Sequence, residues 1–190
     1  MKKIFIINYK PRENSYREPF INAYIDEAKK SGNEVRYINL NDINIEYFKF
    51  DGDTPDFGLN DELKQAQDNM VWADQIVFSY PIWWFAMPAK YKSFIERVFQ
   101  EGIVVNMGKM GPEPLMKNKT AVIMQSYDMP YFAMKYIYGD APMQFLKVVL
   151  SKWCGIKIEK RFDLDMISSM TEAKKLKYIN RLKKFASKIK

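Results

Sequence analysis

Between Pro81 and Pro88 the chain runs Ile-Trp-Trp-Phe-Ala-Met, directly after an apolar run and just before an amphipathic stretch. Two indoles and a phenyl ring in one short loop make a flat surface that excludes water. Backbone N–H groups in such a loop can bond the heteroatoms of a flat ring while the side chains keep water away. Three uses are open for these residues: a platform for a flat aromatic ligand, a cap on the core, or the interface between two copies of the chain.

A second group sits near the start, in "NYKPRENSYREPF" (8–20). Lys10, Arg12 and Arg17 supply positive charge. Ser15 and Glu18 have the spacing of a capping box at a helix start. A helix N-terminus beside hydroxyl and basic groups suits a phosphate. An ordinary helix cap accounts for the same residues. Pro19 conflicts with Ser15 as the cap, because it lacks an N–H that the first helical turn would use. The chain contains neither G-x-G-x-x-G nor G-x-x-x-x-G-K-[ST], so neither a dinucleotide fingerprint nor a phosphate-binding P-loop is indicated.

The absence of histidine from all 190 residues narrows the chemistry further. Ser-His-Asp triads, Cys-His dyads and histidine-ligated metal centres are excluded, and no metal site is expected. Catalysis must rest on carboxylates, tyrosines, lysines or a borrowed cofactor. The single cysteine, Cys154, cannot form an internal disulfide, which suits a reducing compartment.

Short apolar runs alternate with longer amphipathic segments. Strands are predicted at 3–8, 34–40, 75–80, 120–126 and 156–162. Helices are predicted at 15–31, 60–73, 88–100, 140–152 and 171–188. The third strand, "QIVFSY", is nearly all apolar, as a strand buried on both faces should be. Strand–helix alternation means an α/β domain with a doubly wound parallel sheet, helices on both faces and strand order 2-1-3-4-5. In such sheets ligands bind outside the carboxyl ends of the strands, so the loops after strands one, three and four should hold the site. Two stretches, 44–59 and 103–118, exceed ordinary connections and are candidates to line a site or a partner surface.

A hydrophobic content of 47% and a length of 190 residues suit one domain, 1–190, with a substantial core. No apolar run approaches the ~20 residues of a membrane span, and the opening apolar stretch is too short for a signal peptide. A cytoplasmic protein without an integral membrane segment is expected. The net charge is +7, with eight Lys/Arg and no acid in residues 173–190. There, Leu176, Ile179, Leu182, Phe185 and Ile189 recur at helical spacing. That fits a terminal helix with a buried stripe and a solvated basic face; a nucleic-acid or membrane surface is the alternative. No nucleic-acid partner is expected.

The segment "YPIWWFAMPAKYKSFIERVFQEG" (80–102) resembles the flavodoxin-like NAD(P)H:quinone oxidoreductases. They share a proline, an apolar residue, one or two tryptophans, a small residue and a second proline, followed by a helix of this type. "KIFIIN", "EAKKSGNEVRYINL", "MVWADQIVFSYPIWW" and the run from "QSYDMP" through "WCGIKIEKRF" resemble the same family in the same order. The resemblance covers almost the whole chain.

It implies a flavodoxin-like fold and a non-covalent flavin, with FAD favoured and FMN the alternative. It also implies NADPH or NADH as reductant, a quinone or similar small acceptor, and a homodimer. By resemblance, Ser15, Tyr16 and Arg17 fall where the family holds the flavin phosphates. Pro81, Ile82, Trp83, Trp84 and Phe85 fall at the isoalloxazine, and Ser126, Tyr127 and Asp128 at the ring's other edge. Tyr131 and Tyr138 are the candidate catalytic residues, Tyr138 standing where relatives carry a histidine. The family's frequent Thr-Thr-Gly-Gly loop is replaced by "QSYDMP", and Tyr9 and Arg17 stand where a histidine and an asparagine are usual. Two other readings stay open: a flavin-binding electron carrier or regulatory subunit, which the basic final helix could serve, and an interaction module without flavin, which the missing glycines and histidine would suit.

Overall fold

Strand β1 (Lys3–Asn8) shows how the layers arise. Its side chains alternate between two faces: Phe5 and Ile7 enter one core, Ile4 and Ile6 the other. A computed structural model describes residues 1–51, 54–56 and 58–189. The other sheet strands are β2 (Glu34–Asn39), β3 (Gln75–Pro81), β4 (Thr120–Tyr127) and β5 (Lys157–Asp165). All pair in parallel in the order β2-β1-β3-β4-β5, the order expected from the sequence.

Helices α1 (Glu18–Lys30) and α5 (Glu172–Ala186) cover one face, where Phe20, Tyr24, Leu182 and Ala186 meet Val77, Val122 and Phe162. Helices α2 (Asp61–Trp72), α3 (Ala89–Val98) and α4 (Ala141–Leu146) cover the other, with Leu63, Met70, Tyr91, Phe94 and Leu146 against Ile76, Phe78 and Ile123. Tyr91 is buried in this layer, and its hydroxyl donates to the Ile7 carbonyl at 3.0 Å.

Several boundaries differ from the sequence-based expectation. Helix α1 begins at Glu18 rather than at residue 15, so Pro19 occupies its first turn, where its missing N–H costs nothing. Ser15 therefore does not cap the helix; its Oγ accepts a long bond from the Arg17 N–H at 3.4 Å. The helix expected at 140–152 is regular only to Leu146 and continues in wider turns over Lys147–Trp153. Both long connections contain short antiparallel ribbons, Lys49–Asp51 with Thr54–Asp56 and Val105–Gly108 with Gly111–Pro114. Residues 52, 53 and 57 of the first lie outside the described residues.

In α5, Thr171 caps the start, and Leu182, Ile179 and Phe185 face the core. Leu176 does not: it is 59% exposed, on the far edge of the predicted stripe. No described helix is long and apolar enough to cross a membrane.

Candidate functional site

Parallel strands all present their carboxyl ends on one side, and the loops leaving β1, β3 and β4 meet there. Backbone bonds tie them together. The Tyr9 N–H donates to the Ser79 carbonyl at 2.9 Å, and the Ile82 N–H donates to the Ser126 carbonyl at 2.8 Å. Between them lies a cleft of about 490 Å³.

Ser15, Tyr16 and Arg17 line one wall, Pro81, Ile82 and Trp83 the floor, and Ser126, Tyr127 and Asp128 the opposite wall. Of the residues singled out for a bound cofactor, only Trp84 and Phe85 stand outside it. None of the described residues of the two long connections lines it.

The floor is held by a tight turn. The Trp83 and Ala86 N–H groups donate to each other's carbonyls at 2.9 and 3.0 Å. The two central residues, Trp84 and Phe85, have φ of 49° and 60°. This geometry ordinarily selects Asn-Gly, because it needs the left-handed region twice. The turn sends the rings in different directions. Trp83 meets Tyr9 edge-on, with centroids 6.0 Å apart, and Phe85 packs on Tyr138 at 4.7 Å. Trp84 projects into solvent, 96% exposed. Phe85 also borders a smaller apolar cavity of about 180 Å³ behind the loop, with Tyr80, Met87 and Phe145.

The first loop separates its cations by environment. Lys10 pairs with Glu18 at 2.7 Å, and that bond raises its ammonium above the usual lysine range. Arg12 lies over the Tyr16 ring, 5.0 Å from its centroid. Arg17 turns inward and is only 3% exposed. Its Nη1 donates to Ser79 Oγ at 2.9 Å and to Asn8 Oδ1 at 3.4 Å, and its Nη2 donates to the Tyr9 carbonyl. Burial lowers its pKa to about 10.

The opposite wall is anchored from β5. The Tyr127 hydroxyl donates to Asp163 Oδ1 at 3.1 Å, and burial pushes the phenol well above the usual tyrosine range. Arg161 bridges Asp163 and Asp140, each at 2.6 Å. Asp128 Oδ1 accepts from the Ser168 N–H at 2.8 Å, which brings Ile167 into the cleft wall. Tyr127 and Asp128 thus spend their polar groups on structure.

Tyr131 and Tyr138 do not line the cleft. They flank the turn Ala133–Ile137, and both are partly exposed. Lys135 Nζ lies 5.5 Å from the Tyr131 ring, and Tyr138 packs on Phe85, which itself stands outside the cleft. Pro11, Arg12 and Ile167 complete the lining. Arg12 was legible as a cation of the first loop. Ile167 had no local signal, since a bond across 40 residues places it.

Comparison with known proteins agrees with this geometry. A family model described as "Flavodoxin-like fold" matches residues 2–185. The FMN-dependent NADH:quinone oxidoreductase of Clostridium perfringens (strain SM101 / Type A) is 28% identical over 177 residues, covering 87% of this chain and 86% of that one. An FMN-dependent NADH:quinone oxidoreductase 1 of Bacillus subtilis (strain 168) is 27% identical over 156 residues, covering 72% and 71%. Among solved structures, Smu.1420 from Streptococcus mutans UA159 superposes with a TM-score of 0.84 at 26% identity, covering 98% of this chain and all of that one. An FMN-dependent NADH-azoreductase from Bacillus anthracis, solved with FMN, shares the fold at a TM-score of 0.80 and 16% identity over 98% of each chain.

Proposed function

The chain belongs to the family of flavodoxin-like folds whose model spans residues 2–185, and from that premise we propose a flavin-dependent NAD(P)H oxidoreductase of the quinone reductase type. The observation that carries this reading is the cleft at the carboxyl ends of β1, β3 and β4. It is basic at the first loop and apolar at the Pro81–Trp83 floor. A phosphorylated ligand with a flat aromatic ring matches both ends at once. The names of the relatives support FMN over the FAD favoured by the sequence resemblance, and NADH over NADPH as the reductant.

A bound flavin supplies the two-electron chemistry, accepting a hydride from a dihydronicotinamide and passing it to the acceptor. For a quinone the balance is two electrons and one proton carried as hydride, with a second proton taken up to give the hydroquinone. The protein's share is position and environment. Ser15, Tyr16 and Arg17 hold the phosphate end. Pro81, Ile82 and Trp83 seat the ring and exclude water. The Ile82 and Trp83 N–H groups are already committed to Ser126 and Ala86. Trp84 and Phe85, the central residues of that turn, stand outside the cleft. Ser126, Tyr127 and Asp128 form the far wall. Tyr131 and Tyr138, the candidate catalytic residues by resemblance, flank the turn Ala133–Ile137 and do not line the cleft.

We read residues 1–190 as a single cytoplasmic domain that works as a homodimer. Trp84, Phe132, Tyr136 and Ile137 are large, exposed and close in sequence to the site, a surface that a second copy would cover.

The test is an absorption spectrum after loading with FMN or FAD and desalting, followed by NADH or NADPH under nitrogen. A retained flavin band that bleaches with NADH, and turnover with a small quinone, is the expected result. Retention without turnover would point to a carrier. No retention of either flavin would overturn the reading in favour of an interaction module.

A further inference from the structure

Helix α5 turns a basic face outward with a leucine within it. Ile179, Leu182 and Phe185 pack toward the sheet, so the helix has already used its apolar side. On the other side Ala173, Leu176, Lys177, Asn180, Arg181 and Lys184 line an open depression. Lys174 pairs with Asp165 at 2.9 Å and Lys175 with Glu172 at 2.6 Å. Lys177, Arg181, Lys183, Lys184 and Lys188 are exposed and make no ion pair among the described residues. The adjoining helix α1 brings no excess of acid to them. Its Glu18 pairs with Lys10, and Asp26 and Glu27 are matched by Lys29 and Lys30. Cations concentrated on one face repel one another, and an anionic surface laid over them removes that cost.

We propose that this face of α5 docks the folded domain on an anionic lipid bilayer. The negative potential of the headgroups attracts each Lys or Arg brought near them. Leu176 adds apolar area that enters the headgroup layer, and the lysine stems lie along it while their ammonium groups stay among the phosphates. Because α5 remains packed on the sheet, the domain lies on the membrane and does not span it. A nucleic acid fits this face less well. Its recognition puts a helix into a groove or stacks bases on exposed aromatic rings. Here the helix is fixed along the sheet, its rings Tyr178 and Phe185 are partly buried, and the Tyr178 hydroxyl donates to Asp165 at 2.7 Å. The docking itself does not rest on the flavin reading. Taken with that reading, it sets the reaction beside the phase in which lipid-soluble acceptors dissolve, since Ile167 lines the cleft just before α5 begins.

Binding is measured by co-sedimentation of the full chain, without added flavin, with vesicles of phosphatidylcholine alone and of phosphatidylcholine and phosphatidylglycerol at roughly 2:1. Each is run at roughly 0.15 M and roughly 0.5 M NaCl, the second of which screens surface charges strongly. The wild type should bind the anionic vesicles at the lower salt, leave them at the higher, and ignore phosphatidylcholine alone. The triple variant Lys177→Gln, Arg181→Gln, Lys184→Gln should bind about 100-fold more weakly, from about 5-fold for each cation at a charged surface. Leu176→Ser should lose at least about 4-fold, the value of a single CH₂ withdrawn from water. Lys109→Gln, Lys117→Gln, Lys152→Gln is the control: it removes the same charge from exposed positions elsewhere and should bind nearly as the wild type does. All the replaced side chains are exposed, so each variant should unfold at the wild-type temperature.

Failure of the wild type to bind anionic vesicles at the lower salt overturns the proposal. Equal losses in the two triple variants do the same, because they reduce the attraction to net charge. A preference for double-stranded DNA over the anionic vesicles, lost in the α5 variant, overturns it in favour of a nucleic-acid face. Retention of FMN is scored separately on the same preparations, so the docking can fail while the flavin reading stands, and the reverse.

Discussion

Replacing Trp84 by glycine should make the flavin-free protein more stable, although it removes the largest kind of side chain. Trp84 has φ of 49° and is 96% exposed, so its ring contributes almost no burial. Left-handed backbone costs an L-residue about 1–2 kcal/mol, which glycine does not incur. Glycine gives back about 0.5–1 kcal/mol through its greater freedom in the unfolded chain. The net gain is about 0.5–1 kcal/mol, or about 1–4 °C in melting temperature for a domain of this size. Phe85→Gly is the matched control. It relieves the same strain at φ of 60° but gives up the ring contact with Tyr138 at 4.7 Å. An aromatic pair is worth about 0.5–1.5 kcal/mol beyond burial, so this variant should be neutral or less stable. Thermal unfolding of both variants and the wild type, over a wide range of protein concentration, separates the terms. Any share of Trp84 in a dimer interface depends on concentration, whereas turn strain does not. A lower melting temperature for Trp84→Gly at every concentration, including those where the chain is monomeric, would refute the strain argument.

Gly155→Ala should destabilise by about 1–3 kcal/mol in urea unfolding, because a left-handed non-glycine is strained and its Cβ would lie 2.9 Å from both Lys117 Cγ and Pro114 Cβ. Cys154, beside it, is buried and its thiol is pushed up to about 12 by that burial. Iodoacetamide at mildly alkaline pH should leave the native protein unmodified and alkylate it only after unfolding. Burial alone would raise the Asp165 carboxyl, but bonds from Lys174 at 2.9 Å and from Tyr178 at 2.7 Å outweigh it and hold the pKa below the usual range. Its stabilising share should thus be complete above an unfolded-state value of about 4 and fade as pH falls through the folded value. Acid titration of stability for Asp165→Asn should lack that part of the wild-type decline.

Much of the fold and the site's location followed from local patterns. β1 and β3 are continuous apolar runs because both faces of a central strand are covered, and that pattern is visible in the residues themselves. Parallel pairing then forces the loops after β1, β3 and β4 to one edge. Ser15–Arg17, Pro81–Trp83 and Ser126–Asp128 were therefore brought together by topology that the alternation of elements already implied. The start of α1 was misplaced because Ser15 and Glu18 imitate a capping box; Pro19 decided otherwise.

Where each loop side chain sits was decided only by long-range packing. Sequence marks Lys10, Arg12 and Arg17 alike as cations, but folding pairs one with Glu18, leaves one on a tyrosine face and buries one against Asn8, Tyr9 and Ser79. Trp83, Trp84 and Phe85 are three adjacent aromatics in the chain. A left-handed turn makes one a floor, one an exposed projection and one the neighbour of Tyr138. Hydrophobic period and turn residues report on contacts a few positions apart, so they determine elements and their order. The partner of a side chain, and hence its charge state and exposure, depends on residues tens of positions away that meet only when the sheet closes.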